Sequence, residues 1–214
     1  MKKSIKAVYM PQLEGLELNE VANLMEGNAQ RDYVSEINWD EFSHKPIVAF
    51  DVARGDKYLF ISFFVRGSYI RAVNKEYNSH VYQDSCVEFF AKIPGESEYY
   101  NFEFNCIGTA LSSKRKSRTE STHYSDDQMA RIKTWSSLGK EPFEEKDGIH
   151  SWQVVVAIPF DMMGIDYNNI PQMIEANFYK CGDKTSIPHY VSWNKIETPA
   201  PDFHRPEFFG ELYF

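Results

Sequence analysis

The chain of 214 residues has few cysteines, little positive charge and no long apolar run, and each scarcity excludes a class of protein. Its three cysteines, Cys86, Cys106 and Cys181, are odd in number and widely spaced, which indicates buried thiols rather than a disulfide framework. The formal charge of −8 gives the long-range field the wrong sign for binding nucleic acid or an anionic membrane. No apolar run has the length of a membrane span.

Motifs of common catalytic and metal sites are also missing. The six histidines have no HExxH motif and no paired ligand spacing, which argues against a zinc site built from them. There is no glycine-rich phosphate loop and no nucleophile elbow. The acidic balance permits a structural calcium ion, although no segment has the spacing of a calcium-binding loop. In this acidic chain the basic run 114–118 is interpreted as an exposed loop rather than a nucleic-acid patch.

The N-terminus is basic but lacks the apolar middle of a signal peptide, so we expect a cytoplasmic location. Residues 1–38 are interpreted as an N-terminal extension in which Asn19 caps a short helix through Leu24 and Met25. Beyond it, aromatic residues reach 15% of the chain, which favours strands over helices.

Short β-rich runs, separated by Gly, Pro and polar turns, recur along the rest of the chain. They lie at 47–53, 57–65, 85–93, 99–106, 107–111, 132–138, 151–158, 174–180 and 210–214. No internal repeat and no linker divides them. The sequence therefore predicts an all-β protein, a single domain over residues 1–214 that folds as a β-sandwich of antiparallel strands.

The last forty residues mix aromatic rings with Pro, Gly, Asn, Asp and His, and most of this tract has no helical or strand period. Long aromatic-rich loops are the expected result. Rings in such loops are costly to leave in water, so they either close the end of the sandwich or face a ligand. A ligand that is apolar on one face and polar at its rim, such as a sugar, would suit them.

Strict alternation in 85–93 and 99–106 predicts a hairpin with a defined register. With the turn between Gly95 and Glu96, apolar residues of the two strands coincide on one face, and Glu88 faces Glu103 on the other. Facing carboxylates repel each other, so a cation, a shared proton, a nearby Arg or Lys, or the hydroxyl groups of a ligand should hold them. The other interpretation is a solvated strand face with mixed polar residues.

The segment Tyr82-Gln83-Asp84-Ser85-Cys86-Val87-Glu88-Phe89-Phe90, followed by a turn and an alternating strand that ends in Asn105, resembles the core motif of family 9 carbohydrate-binding modules. The order of the other elements also resembles the family: an early Trp39, the hairpin 46–65, the strand that ends at Phe160, the Ser192-Trp193-Asn194 segment and residues 203–210. The resemblance implies a jelly-roll-like β-sandwich that binds saccharide ends between two aromatic side chains. It also implies frequent attachment to glycan-degrading enzymes.

Carried over by position, Tyr82 and Trp193 would be the stacking platforms, and Glu88 and Asn105 would contact sugar hydroxyls. Asn101 and Glu103, on the same strand face, complete the predicted ligand-binding set. Two positions depart from the family: Tyr82 stands where a Trp is expected, and Glu103 stands where an Arg is usual. The sequence thus predicts non-catalytic binding of a mono- or oligosaccharide with micromolar to millimolar affinity.

Two alternatives remain from the residues themselves. Glu88 and Glu103 could act as the carboxylate pair of a glycoside hydrolase, since neighbouring strand positions approach the separation of about 5–5.5 Å used by retaining enzymes. A sandwich that holds haem through Met and His is the other alternative, although no motif nominates a particular methionine. No cofactor is otherwise indicated.

Overall fold

The computed structural model of the chain describes residues 2–214, in which short strands alternate with turns. The strands are β1 (Ser4–Lys6), β2 (Val8–Tyr9), β3 (Gln30–Tyr33), β4 (Glu36–Ile37), β5 (Ile47–Arg54), β6 (Tyr58–Ala72), β7 (Cys86–Lys92), β8 (Tyr99–Asn105), β9 (Ala110–Arg115), β10 (Ser121–His123), β11 (Lys133–Ser136), β12 (Phe143–Pro159), β13 (Met173–Cys181), β14 (Tyr190–Ser192) and β15 (Gly210–Tyr213). The helices are α1 (Leu18–Met25) and α2 (Asp126–Met129). Turns of 3₁₀ helix lie at Pro11–Gly15, Asp40–Phe42, Val81–Gln83, Phe160–Met163 and Pro206–Phe208.

The strands form two sheets that pack face to face, so the expected all-β sandwich is confirmed. The nine-stranded sheet has the order β1-β15-β13-β7-β8-β9-β10, and β14 pairs with both β13 and β4. The six-stranded sheet has the order β11-β12-β6-β5-β2, and β3 pairs with β5. Most pairs are antiparallel; β1 with β15 and β2 with β5 are parallel. This pairing is that of a jelly-roll-like sandwich.

Three apolar clusters lie in three layers. The central cluster fills the space between the sheets and includes Phe50, Phe89, Phe102, Phe178 and Val154. A second cluster lies on the outer face of the six-stranded sheet beneath α1 and includes Val21, Met25, Phe60 and Val155. The third lies on the outer face of the nine-stranded sheet beneath the C-terminal tract and includes Trp39, Phe90, Tyr179, Phe203 and Phe209. Alternate residues of one strand therefore enter different layers.

The N-terminal residues differ in detail from the prediction. Helix α1 begins at Leu18, so Asn19 lies inside it rather than at its cap. The cap is Glu17, whose backbone N–H donates to the Glu20 carboxylate (3.1 Å) in a capping box. Strands β1 and β4 join the nine-stranded sheet, while β2 and β3 join the six-stranded sheet. The segment before residue 39 is thus paired with both sheets.

Several strands are longer than their apolar runs. Strand β12 begins at Phe143 rather than at residue 151, and β6 continues to Ala72. Strand β9 runs from Ala110 to Arg115, four residues past the predicted end. Exposed polar segments can continue a strand when a neighbouring strand supplies the hydrogen bonds, and hydropathy alone misses them. Between residues 2 and 214, no helix is long and apolar enough to cross a membrane.

Candidate functional site

The site is built on the hairpin of β7 and β8. In this hairpin Glu88 lies directly opposite Glu103, Phe89 opposite Phe102 and Val87 opposite Phe104, so the predicted register is confirmed. The apolar pairs point into the central cluster. Glu88 and Glu103 point to the outer face and are only 3% and 4% exposed. Two carboxylates are thus enclosed side by side beneath the C-terminal tract.

Each carboxylate has one hydrogen bond from a neighbouring side chain. The Cys181 thiol donates to Glu88 Oε1 (3.0 Å), and Asn101 Nδ2 donates to Glu103 Oε1 (2.8 Å). Arg115 Nε donates to Asn101 Oδ1 (2.7 Å), which fixes the orientation of the amide. Glu103 Oε2 is buried and has no hydrogen-bond partner. One acceptor beside Glu88 is therefore free to receive a donor.

Burial changes the protonation of this pair. It raises the pKa of Glu88 well above the ordinary value, and the neighbouring Glu103 adds to the rise. Burial also raises the pKa of Glu103 to about 7. A proton held by one carboxylate relieves the repulsion between the two side chains. The pair can therefore both donate and accept hydrogen bonds near neutral pH.

A cavity of about 270 Å³ opens above the two carboxylates. Its lining combines aromatic rings, charged side chains and two acidic groups at the floor. The lining residues are Tyr82, Glu88, Glu103, Leu111, Arg115, Arg118, Cys181, Asp183, Tyr190, Pro201, Asp202, Phe203 and His204. The volume lies near the lower end of small-molecule sites, which are about 300–1,000 Å³. A cavity of this volume suits a small ligand.

Tyr82, one of the two predicted stacking platforms, lies in this lining, and its contact with a ligand stays a prediction. It belongs to the 3₁₀ turn Val81–Gln83, and its half-buried ring packs beside His80 with the centroids 5.4 Å apart. The turn is held by the loop after β13, because the Asp183 N–H donates to Tyr82 O and the Lys184 N–H donates to Gln83 O, both at 3.1 Å. This pairing places the ring at the edge of the cavity.

Trp193 does not line the cavity, and its predicted role as an exposed stacking platform is contradicted by its burial. Its side chain is 0% exposed and packs in the central cluster, 5.4 Å from Phe178 and 6.0 Å from Phe50 between ring centroids. Its Nε1 donates to Asp32 Oδ2 (2.8 Å). A Cβ added at Gly210 would lie 2.8 Å from the Trp193 ring, so glycine there allows the close packing. No face of this ring is open to a ligand.

Tyr190 supplies the aromatic wall that was assigned to Trp193. The two residues have opposite parity along β14 and its continuation, so Trp193 points between the sheets and Tyr190 points to the outer face. Tyr190 lies opposite Cys181 in the sheet and lines the cavity. The alternation of Tyr190 to Trp193 was available in the sequence. The prediction of irregular loop over this tract is wrong at β14, where three residues form a strand.

Asn105 and Asn101 are not part of the cavity lining. Asn105 is buried at the end of β8, where its Nδ2 donates to Asn74 O (2.7 Å) and to Asp84 Oδ2 (3.0 Å). Its Oδ1 accepts the backbone N–H of Thr109 (3.0 Å), so the side chain organises the turn after β8. The prediction that Asn105 contacts the ligand is therefore contradicted. Asn101 acts indirectly, by orienting Glu103.

Two arginines of the lining were not predicted as site residues. Arg115 is the last residue of β9 and lies opposite Tyr99 on β8, so the extra length of β9 brings it to the cavity. Its Nη1 donates to Arg118 O (2.9 Å). Part of the basic run that was interpreted as an exposed loop is thus turned towards the site. Arg115 and Leu111 are an even number of residues apart on β9, so both point to the same face of the sheet.

The ionisable groups at the rim are also shifted by burial. Burial raises the pKa of Asp183 to about 6 and lowers the pKa of His204 to about 3. The His204 Nδ1 lies 3.1 Å from the Tyr99 hydroxyl group, so the two side chains share a hydrogen bond. His204 is held as a neutral ring against Phe90, with the ring centroids 5.0 Å apart. The rim therefore offers both aromatic and acceptor surface.

Three potential metal ligands meet at the floor. Ligand atoms of Cys86, Glu88 and Cys181 all lie within 4.8 Å of one another, and all three residues are buried. The three cysteines of the chain are free thiols, as expected from their number and spacing. Cys106 lies apart from the other two, in the central cluster between the sheets. Calcium binding remains a prediction.

Comparison with known proteins matches this chain to carbohydrate-binding proteins by sequence and by structure. The family model described as carbohydrate-binding family 9 matches residues 19–214. Among solved structures, a candidate carbohydrate-binding protein from Bacteroides uniformis is 34% identical with a TM-score of 0.92, and each chain is covered over 100% of its length. A comparison with curated protein sequences gives no match.

More distant matches show the same fold. A family 9 carbohydrate-binding module from Caldicellulosiruptor kristjanssonii, solved in complex with glucose, is 17% identical with a TM-score of 0.58. That match covers 99% of this chain and 95% of the other. The module in complex with cellotriose is 17% identical with a TM-score of 0.57, and the match covers 99% and 93% of the two chains.

Proposed function

Since the chain belongs to carbohydrate-binding family 9, whose members bind saccharides without cleaving them, we propose that it binds one sugar ring in the cavity above Glu88 and Glu103. The observation that carries this proposal is the pairing of two aromatic walls, Tyr82 and Tyr190, with a floor of buried carboxylates. A sugar has apolar C–H faces and a rim of hydroxyl groups. The cavity offers surfaces of both kinds.

The aromatic walls would supply most of the affinity. Tyr82 and Tyr190 are both half-buried, so each keeps part of its ring free for a C–H face of the ligand. Tyrosine orders few torsions when it binds, and its large apolar area makes it common among residues that dominate recognition. Burial raises the pKa of both phenols, so both rings stay uncharged near neutral pH.

Glu88 and Glu103, at the floor of the cavity, would select the ligand by the positions of its hydroxyl groups. Glu103 Oε2 is a buried acceptor without a partner, and it lies beside Glu88 on the neighbouring strand. A sugar hydroxyl that donates to it satisfies a group that is costly to leave unpaired. Arg115 and Arg118 add donors at the wall. A free energy of binding of about −4 to −8 kcal/mol, which is millimolar to micromolar affinity, is expected from so few contacts.

Hydrolysis is not favoured by the position of the carboxylates. The two acids of a glycosidase flank the scissile bond, one to protonate the leaving group and one on the opposite side. Glu88 and Glu103 are cross-strand neighbours on one sheet face, so both approach a ligand from the floor. This arrangement suits recognition of adjacent hydroxyl groups and leaves the far side of the sugar without a carboxylate partner on this hairpin.

The test is a titration with glucose, cellotriose and a panel of other mono- and oligosaccharides, followed by calorimetry and by tryptophan fluorescence. Trp39 is a suitable reporter, because its ring lies 6.4 Å from Tyr190 and 6.2 Å from Phe203. We expect saturable binding to the wild type and an affinity at least about tenfold weaker in Tyr82→Ala.

The matched control is Tyr33→Ala, which removes a tyrosine that is 51% exposed on β3 of the other sheet. It should bind as the wild type does. Failure of every saccharide to bind the wild type would overturn the proposal. Equal affinity of Tyr82→Ala and wild type would show that the ligand lies elsewhere. A Trp39→Phe variant separates loss of the fluorescent signal from loss of binding measured by calorimetry.

Association with a glycan-degrading enzyme and a cytoplasmic location remain proposals. The support for the first is the family's frequent attachment to such enzymes, and for the second the three free thiols, which suit a reducing compartment. Purification of the protein from its native cells after chemical cross-linking tests the first. Cell fractionation tests the second.

A further inference from the structure

We propose that the floor of the cavity binds a thiophilic divalent metal ion, Zn²⁺, through Cys86, Glu88 and Cys181. The proposal rests on the position of these three side chains and on the environment of Glu103 beside them. It goes beyond saccharide binding, since Cys86 belongs to the proposed metal site but not to the cavity lining.

The sheet itself brings the three ligands together. Cys86 on β7 lies directly opposite Cys181 on β13, so the two thiols are on the same face. Glu88 lies two residues further along β7 and therefore also points to that face. The three ligand atoms are within 4.8 Å of one another. Ligands held by paired strands have little freedom to move apart, which preorganises a metal site.

The ligand types select the metal. Two cysteine thiolates and one carboxylate form a mixed sulfur and oxygen set, which suits Zn²⁺ at about 2.3 Å from sulfur and about 2.0–2.2 Å from oxygen. Magnesium and calcium prefer sites made of oxygen alone. Zinc would replace the weak hydrogen bond between Cys181 and Glu88 by metal–ligand bonds. The absence of a histidine pair in the sequence does not bear on a site of this composition.

An independent observation points to a missing cation. Glu103 Oε2 is buried without a partner, and Glu103 lies opposite Glu88. Over residues 2–214, neither carboxylate forms an ion pair with a Lys, Arg or His side chain. The nearby buried cation, Lys180, is directed to Cys181 O (2.6 Å) and His189 Nε2 (2.8 Å). Neither carboxylate therefore has a direct ion-pair partner, and a bound cation would relieve their repulsion as a shared proton does.

The cavity gives the ion a route to the site. Glu88, Glu103 and Cys181 all line it, whereas Cys86 lies behind them. A Zn²⁺ ion held by three protein ligands keeps a fourth coordination position, which water or a ligand would take. The site would then neutralise the floor on which the saccharide rests.

The experiment uses the full chain, reduced with TCEP and desalted under argon, and titrated with Co²⁺ followed by Zn²⁺. Cobalt bound by thiolates gives an intense near-ultraviolet charge-transfer band, and tetrahedral cobalt gives visible bands, so the readout does not depend on saccharide binding. We expect one Co²⁺ per chain, displaced by Zn²⁺. Cys86→Ser and Cys181→Ser should each weaken metal affinity by more than about 100-fold. Loss of a residue that only orients a metal ligand typically costs about 10- to 100-fold.

Cys106→Ser is the matched control, because its thiol lies in the central cluster and donates to Arg71 O (3.4 Å). It should bind Co²⁺ as the wild type does. Glu88→Gln keeps both thiols and should retain part of the charge-transfer band with weaker affinity, which covers the case of a cysteine variant that does not fold. Thermal melts of all variants identify any that is unfolded.

Three results would overturn the proposal. One is a reduced wild type that shows no cobalt–thiolate band. Another is a band that persists unchanged in both Cys86→Ser and Cys181→Ser. The third is a disulfide between Cys86 and Cys181 that survives TCEP, since the pair would then act as a cross-link. Saccharide titration of Cys86→Ser in EDTA separates this proposal from the proposed function, because that side chain lies outside the cavity lining.

Discussion

The two faces of the nine-stranded sheet are built from the same strands but hold different kinds of side chain. The inner face presents Phe89, Phe102 and Phe178, which pack against the other sheet. The outer face presents Glu88 and Glu103 at neighbouring positions, equally buried but polar. Burying apolar groups stabilises the fold, whereas burying carboxylates opposes it. The comparison separates positions that stabilise the sandwich from positions whose burial opposes folding and for which we propose a role in binding.

The largest expected effect is on the inner face, from Trp193→Ala. This variant should lose about 3–5 kcal/mol of unfolding free energy, because it leaves a cavity among Phe50 and Phe178 and removes the hydrogen bond to Asp32. Urea denaturation measures the loss, with Tyr33→Ala as the exposed control. A variant of wild-type stability that no longer bound saccharide would place Trp193 on the ligand and reverse the assignment.

The next largest effect is a dependence of the unfolding free energy on pH, caused by His204 on the outer face. Burial holds His204 neutral with a pKa of about 3, while the unfolded chain takes up a proton below about pH 6.5. The stability supplied by neutral His204 is complete above pH 6.5 and falls by about 1.4 kcal/mol for each pH unit below it. Arg115 and Arg118 are the charged groups that add to this shift.

His204→Phe keeps a ring against Phe90 and removes the titration. The advantage of wild type over this variant should therefore shrink by about 2 kcal/mol when the pH falls from neutral to about 5. Urea unfolding at the two pH values measures it. A difference that is the same at both values would show that folding does not shift the pKa of His204.

Tyr190→Ala should weaken saccharide binding by about tenfold, or about 1.4 kcal/mol, by removing one aromatic wall. Tyr190→Phe keeps the ring and should bind nearly as the wild type does, apart from the loss of the hydroxyl group beside Asp183. Calorimetry with the best ligand compares the two. Equal weakening in both variants would mean that the hydroxyl group, rather than the ring, contacts the ligand.

The smallest effect is a gain of stability in Glu103→Gln. Removing one of two carboxylates that face each other across strands should stabilise the metal-free protein by about 0.2–1 kcal/mol above neutral pH. The same variant should bind saccharide more weakly, because the acceptor Oε2 is lost. Denaturation and calorimetry in EDTA test both expectations. Lower stability would show that the carboxylate makes a favourable contact in the folded chain.

Alternation within single strands was enough to predict the hairpin register and the position of Glu88 opposite Glu103. It was enough because a slip of one residue would turn every apolar side chain of the hairpin to the wrong face. The same reasoning, applied to Tyr190 through Trp193, would have separated the buried ring from the open one. That strand has only three residues, and one of its two partners, β4, is distant in sequence, so its alternation is too short to stand out.

Other features depend on contacts that no local pattern contains. Asn105 serves the turn after β8 because Asn74 and Asp84, far from it in sequence, come to lie beside it. Arg115 reaches the cavity because β8 extends β9 past its apolar run. The proximity of Cys86 to Cys181 follows from the pairing of β7 with β13, which the spacing of the cysteines does not reveal.

The parallel pairing of β1 with β15 has a consequence for the order in which the protein folds. Ser4 to Lys6 pair with Glu211 to Tyr213, so this edge of the sheet closes almost the longest loop that the chain can form. Closing so long a loop costs chain entropy before its contacts form, and pairings of this kind slow folding. During synthesis β1 must wait for the last strand, and Phe203 and Phe209, which cover the outer face, emerge only shortly before it. Two residues of the cavity lining, Phe203 and His204, thus belong to the part of this sequence that is synthesised late.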